Sequence, residues 1–281
     1  MLDERYVIGI CTRGARPTLD LFLAKFSATL LENQDHIRIV IVVNGDGQLV
    51  EVDLPNVLVY REPRVGIAHA RNRVLQEIQS DEHLIFIDDD EYPDPKWFEN
   101  LVAAHKQFPE DLIVGPVQEV DANGNVVLDS KIRPISNVPT GTLRKTAATN
   151  NLLIPAAVIA SGFVYFDLYF NHGGSDSDLS FRLVNRGFKI RWVVDAIMYE
   201  VEDADREDDE WAYGRDRRNA AIYSVAIKRN STFKFLIFYF LKKLLQFSIY
   251  SILQFTGQAN KRKFELYKIA VKAMLSGRQT G

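Results

Sequence analysis

Cysteine is almost missing: Cys11 is the only one in 281 residues. That excludes an internal disulfide framework and a cysteine-built zinc site, and it fits a reducing compartment. A secretory leader is not expected either, because MLDERYVIGI carries two acids where a basic segment and a long apolar one would stand. No 18-residue uncharged apolar run occurs. The most apolar stretch, FKFLIFYFLKKLLQFSIYSILQF at 233–255, is interrupted by Lys234, Lys242, Lys243 and Gln246. Internal repeats and low-complexity segments are lacking too. An early phosphate loop rich in glycine and lysine is missing, CTRGARPTLD being a poor version of one. These absences leave a globular chain, expected in the cytoplasm.

A hydrophobic fraction of 47% is ample for a buried core. The net charge of −3 conceals an asymmetry. Residues 228–281 hold eleven Lys and Arg against one acid, Glu265, a balance of +10. The remaining 23 bases and 36 acids give −13. An acidic body with a basic tail points to an anionic partner for the tail.

The first half alternates short β-branched runs with helical patterns. YVIGI and IRIVIVV read as strands around the helical LDLFLAKFSATLLE; VLVYRE, ARNRVLQEIQ and HLIFID follow as strand, helix and strand. This order predicts a mainly parallel sheet covered on both faces, with ligands beyond the strand C-termini. DPKWFENLVAAHKQF reads as a helix and DLIVGPVQEVD as one strand, with a turn at Asp121–Asn125. Residues 130–148, with two prolines, a glycine and four basic residues, read as a mobile loop. GGSDSDLSFRLVNRGF gives a loop, a helix and a glycine stop before the strand KIRWVVDAIMYEV. The division expected is 1–227 for the α/β domain and 228–281 for a basic amphipathic extension. That extension reads as two helices lying in a membrane interface. The alternative is a helical hairpin packed on the domain or on a second subunit.

The chemistry concentrates at two acidic clusters. LIFIDDDEYPDP places Asp88, Asp89 and Asp90 at the end of an apolar strand, with Glu91 expected to begin the turn to the next helix. Carboxylates there suit Mg2+ or Mn2+, which prefer oxygen ligands and share them with substrate phosphates. A helix cap is the competing explanation, but a cap needs one acid, and Pro93 and Pro95 delay the helix. The second cluster, GGSDSDL, offers Asp176 and Asp178 as a general base or as ordinary helix caps.

Together these segments resemble the family 2 glycosyltransferases of GT-A fold, from about residue 5 to 220. The blocks are VIGICTRGARPTLDLFLAKF, VIVVNGDG, GIAHARNRVL, FIDDDEYPDPKWFENL, TNNLLIPAAVI and GGSDSDLSFRLVNRGFKI. The resemblance implies that Asp88 and Asp90 end an Asp-x-Asp pair, with Asp90 the direct metal ligand and Asp88 or Asp89 near the ribose and diphosphate. It implies that Thr12, Arg16, Asn44 and Arg71 line the nucleotide pocket, and that Asp176 is the catalytic base with Asp178 in reserve. Two positions depart from the family pattern. Ser175 replaces the acid before the base, and Glu200, with Glu202 close behind, stands where many members carry a metal-binding histidine. The glutamate resembles a subgroup of bacterial exopolysaccharide and lipopolysaccharide enzymes. These continue into a helix like DDEWAYGRDRRNAA, whose Trp211, Arg215 and Arg218 would face phosphate or solvent.

The resemblance implies an inverting, metal-dependent hexosyltransferase. Its donor would be a nucleotide sugar, by family frequency UDP-linked, and its acceptor a lipid-linked saccharide in surface polysaccharide synthesis. It would act on the cytoplasmic face of the inner membrane, as a monomer or homo-oligomer. The alternatives are a sugar-nucleotide nucleotidyltransferase and a non-catalytic scaffold of a polysaccharide assembly complex. Nucleic acid is not the expected partner, because the tail's aromatics are interspersed with Leu and Ile rather than set out for base stacking.

Overall fold

The computed structural model describes residues 2–121, 123–127, 138–171, 173–201, 209–230, 232–255 and 260–275. In chain order the elements are β1 (Arg5–Thr12), α1 (Pro17–Glu32), β2 (Ile37–Asn44), β3 (Val57–Glu62), α2 (Ile67–Gln76), β4 (Glu82–Asp88), β5 (Glu91–Pro93), α3 (Trp97–Gln107), β6 (Leu112–Val114) and β7 (Val117–Val120). There follow β8 (Leu143–Arg144), β9 (Leu152–Ile154), α4 (Ala156–Ala160), a 3-10 turn (Leu168–Phe170), α5 (Ser175–Val184), β10 (Ile190–Trp192), β11 (Met198–Val201), α6 (Asp209–Asn230), α7 (Phe233–Phe255) and α8 (Lys261–Leu275). The chain divides into two compact units, 1–202 and 203–281. The change of charge at 227/228 therefore falls inside a continuous helix, α6.

The first unit is the expected mixed, mainly parallel sheet. Eight strands run in the order β3-β2-β1-β4-β9-β6-β10-β8. β1 lies parallel to β2 and β4, and β9 enters antiparallel between β4 and β6. Alternation along each strand sends side chains to opposite faces. Ile8, Ile10, Ile39 and Ile41 meet Leu19, Phe22 and Phe26 of α1 and Trp97 and Leu101 of α3. Val7, Val40, Val42 and Phe86 meet Ala68, Ala70 and Val74 of α2 and Leu179 and Leu183 of α5. Both faces are covered, so the strands read as nearly continuous apolar runs.

A second sheet, β5-β11-β7, corrects three expectations. DLIVGPVQEVD is two strands, because Pro116 lacks a ladder donor and Gly115 lies so close to Ala196 O and Asn151 that a Cβ there would collide. KIRWVVDAIMYEV likewise divides into β10 in the large sheet and β11 in the small one. Glu91 does not begin a turn: it opens β5 and pairs with Glu200 of β11. Of the expected mobile loop, residues 130–137 lie outside the described residues, while 143–144 form β8 against β10.

Two asparagines, Asn151 buried and Asn171 half-buried, fix the connections. Asn151 accepts from Trp97 Nε1 (2.9 Å) and donates to Pro116 O (2.9 Å) and Ala196 O (2.7 Å), which ties α3 to the crossing between the sheets. Asn171 serves the start of α2. Its Oδ1 accepts from Ala68 N (3.1 Å), its backbone O accepts from Ile67 N (3.1 Å), and its Nδ2 donates to Val65 O (2.8 Å). Gly66, at φ 132°, leaves room for that side chain, which a Cβ would strike.

In the second unit, α8 packs on α6 and α7, with Phe247 stacked on Phe264 (5.4 Å) and Tyr250 near Tyr267 (5.2 Å). Phe238, Leu241, Leu245 and Ile252 of α7 point outward, each more than half exposed. Residues 233–253 are long and apolar enough to cross a membrane by length and composition.

Candidate active site

β1, β4, β5, α2 and α5 converge beyond the C-terminal edge of the parallel strands. Pairing of β1 with β4 sets Cys11 opposite Asp88. The chain then turns through Asp89 and Asp90 and re-enters as β5 at Glu91. Oxygens of Asp88, Asp90 and Glu91 lie within 4.8 Å of one another. Glu91 is buried, accepts from Asn150 Nδ2 (2.8 Å) and receives the Asp88 N–H at 3.4 Å.

Register extends the acidic surface. Glu91 stands opposite Glu200, and Glu200 opposite Glu119, so three buried glutamates form a row across the small sheet. Directly opposed residues share a face. Glu200 was expected from the sequence as a metal ligand; it lies one strand away from the Asp88, Asp90 and Glu91 group. Glu119 was not expected. Its signal was a run, Gln118-Glu119, inside an otherwise apolar strand.

The electrostatics follow from burial and like charge. Asp88 is pushed up to about 6, chiefly by burial and further by Asp90, Asp89 and Asp176, with Arg71 opposing. Burial raises Glu91 well above the carboxylate range, and Asp88, Glu200 and Asp90 add to it. Asp89 is raised by burial against the Thr12 hydroxyl and Arg16. Cys11 is pushed by burial to about 12, so its thiol is no nucleophile at neutral pH.

Cations answer from two sides. Arg16 Nε lies 3.3 Å from Asp89 and its Nη1 4.0 Å from Asp90. Arg71 Nη2 lies 3.7 Å from Asp88, and its Nη1 donates to Ser175 Oγ at 2.9 Å. Thr12 donates to Gly14 O (2.6 Å) and shapes the loop leading to Arg16. Asn44 donates to Glu62 O (3.2 Å) and Arg64 O (2.8 Å) and accepts from Gly66 N (2.7 Å), so it holds the approach to α2. The structure thus brings Thr12, Arg16, Arg71, Asp88, Asp89, Asp90 and Asp176 to one place, with Asn44 supporting from the end of β2.

The two aspartates of α5 differ. Asp176, in the first turn, is partly exposed and accepts from its neighbour Ser177 N (2.8 Å). Asp178 is buried and pairs with Arg182 (3.1 Å), which also donates to Phe163 O and Tyr165 O (2.6 Å each). Glu202 lies outside the described residues, as do the side chains of Trp211, Arg215 and Arg218.

An all-oxygen set of partly and fully buried carboxylates is the chemistry a hard divalent cation takes. Residues 8–163 match the model of the family described as Glycosyl transferase family 2. No curated protein matches the chain. Among solved structures, GalNAc-T7 with UDP, GalNAc and Mn2+ superposes with a TM-score of 0.56 at 13% identity, over 80% of this chain and 48% of that one. TarS 1–349 of S. aureus in complex with UDP-GlcNAc superposes at 0.52 and 13% identity, over 81% of this chain and 68% of that one. The chain spans 65% of TarS 1–349 in a second crystal structure and 48% of the GalNAc-T7 chain.

Proposed function

The chain belongs to glycosyl transferase family 2 and has the GT-A type of fold, and on that premise we propose that it is an inverting, metal-dependent hexosyltransferase. The donor is a UDP-sugar and the acceptor a hydroxyl of a lipid-linked saccharide in bacterial surface polysaccharide synthesis. Membership of this family sets aside the nucleotidyltransferase reading. The observation that carries the proposal is the meeting of Asp88, Asp90 and Glu91 within 4.8 Å, with Asp176 close enough to perturb Asp88. The solved relatives with UDP and Mn2+ or with UDP-GlcNAc support the choice of donor class.

Asp90 and Asp88 would hold Mn2+ or Mg2+, with Glu91 and Glu200 behind them. The cation supplies Lewis-acid stabilisation of the leaving diphosphate. Arg16 and Arg71 place positive charge where that leaving group develops negative charge. Thr12, Asn44 and Asp89 shape the nucleotide pocket around them. Asp176 takes the proton from the acceptor hydroxyl as its oxygen attacks the anomeric carbon. The bond to the diphosphate breaks on the opposite face, so an α-linked donor gives a β-linked product. Asp178, committed to Arg182, serves the fold of α5.

The second unit supports a place on the cytoplasmic face of the inner membrane. α7 turns an apolar face outward over about 35 Å, and α8 opens with the exposed Lys261, Arg262 and Lys263. Basic residues beside an apolar face suit an anionic bilayer. The catalytic assignment is tested with Asp176→Asn: transfer from the UDP-sugar is lost while UDP still binds in the presence of Mn2+. Turnover at the wild-type rate refutes it.

A further inference from the structure

We propose that Ser175 and Arg71 form a positioning pair that holds the start of the base helix against the donor-side carboxylates. The inference rests on the roles given above to Asp176 and Asp88. Arg71 projects from α2 with its side chain only 11% exposed. One guanidinium nitrogen donates to Ser175 Oγ (2.9 Å) and the other faces Asp88 (3.7 Å). The guanidinium lies over the Phe166 ring, 5.5 Å from its centre, which limits its swing. Ser175 is fully buried and is the first residue of α5, immediately before Asp176.

The residue type at 175 decides how Arg71 is shared. A carboxylate here would take the guanidinium fork in a two-bond pair and compete with Asp88 for it. The neutral hydroxyl accepts one bond and leaves the second nitrogen to Asp88. No solvent reaches Ser175, so a lost bond there is not replaced by water. The hydroxyl that departs from the family pattern therefore anchors the first turn of α5. A planar fork is required, because a lysine ammonium reaches one of the two partners at a time.

The test uses the full-length protein and the UDP-sugar that most raises its melting temperature with Mn2+. Ser175→Ala and Arg71→Lys should each lower kcat about tenfold, the loss expected for one charge-assisted hydrogen bond. In Ser175→Ala the donor KM and the affinity for UDP should stay within about twofold; in Arg71→Lys, whose guanidinium also faces the donor diphosphate, both should weaken as well. The double variant should fall little below either single one, because both remove the same bond. Unchanged kcat in Arg71→Lys, a rise in the KM of Ser175→Ala at constant kcat, or additive kcat losses in the double variant overturn the pair. If Ser175→Ala melts well below wild type, Ser175→Cys, close in size but a poor acceptor, decides in its place: a comparable loss of kcat supports the pair and wild-type kcat overturns it. A wild-type protein inert toward every UDP-sugar overturns the glycosyltransferase reading and the pair with it; an active one with unaffected variants overturns the pair only.

Discussion

Asp88→Asn should stabilise the protein when no cation is present, and by an amount that depends on pH. Asp88 is lifted from 3.8 to about 6, a cost of ~3 kcal/mol above that range at 1.36 kcal/mol for each pH unit. With 40% of the side chain open to solvent, screening halves this to ~1.5 kcal/mol. For a domain of this size the variant should then melt about 3–6 °C higher than wild type at pH 7.5 in EDTA. The sign follows from the raised carboxyl. Its cost is full above the folded value and is relieved as pH falls through about 6 toward 3.8. The advantage of Asp88→Asn should therefore shrink to roughly half by pH 5. Taking the difference between variant and wild type at each pH cancels the groups that do not interact with Asp88. With Mn2+ and UDP the order reverses, because wild type gains stability from ligands that the variant binds poorly. Differential scanning calorimetry in EDTA checks this. A variant less stable than wild type at pH 7.5, or an advantage that grows as pH falls, refutes the account of the acidic cluster.

Asp178→Asn should cost ~3 kcal/mol, since it strands the buried Arg182 charge, and should lower the melting temperature by about 6–12 °C; Asp176→Asn should leave it unchanged. His105, buried and pushed down to about 4, stays neutral in the fold while it protonates freely in the unfolded chain. Between pH 6.5 and about 4 each pH unit lost should therefore cost ~1.4 kcal/mol, and His105→Phe should flatten that acid limb in urea unfolding curves. Leu241→Glu with Leu245→Glu, on the outward face of α7, should reduce flotation with phosphatidylglycerol vesicles at least ~100-fold, from ~1.5 kcal/mol or more per leucine, while donor hydrolysis in solution persists. Undiminished flotation removes α7 from the membrane contact.

Much of the first unit was legible because its signals are local. β-Branched runs alternating with helical periods gave β1 through β4 and α3, and an acid run after an apolar strand marked the candidate site at Asp88. What stayed hidden depends on pairing across long separations. The row of Glu91, Glu200 and Glu119 exists only through the register of three strands more than a hundred residues apart at the extremes. Nothing near Glu91 distinguishes a strand start from a turn. The splitting of DLIVGPVQEVD was signalled by Gly115-Pro116, but an apolar run on both sides outweighed it in the pattern. The Asp178–Arg182 pair was available at i,i+4 spacing; reading Asp178 only against the helix N-terminus passed over it.

The Asn171 side chain at the start of α2 carries a last consequence. A helix start that points its free N–H groups at a ligand is a ready phosphate cradle, yet here Asn171 already accepts from Ile67 and Ala68. This end of α2 can therefore offer a diphosphate little backbone grip. In the proposed function, recognition of the anion at this side of the cleft passes to Arg71 and Arg16 and to the cation the carboxylates would hold, charged groups rather than fixed amides. Donor binding should then weaken steeply with ionic strength and collapse under chelation, as counter-charge binding does and a backbone cradle does not.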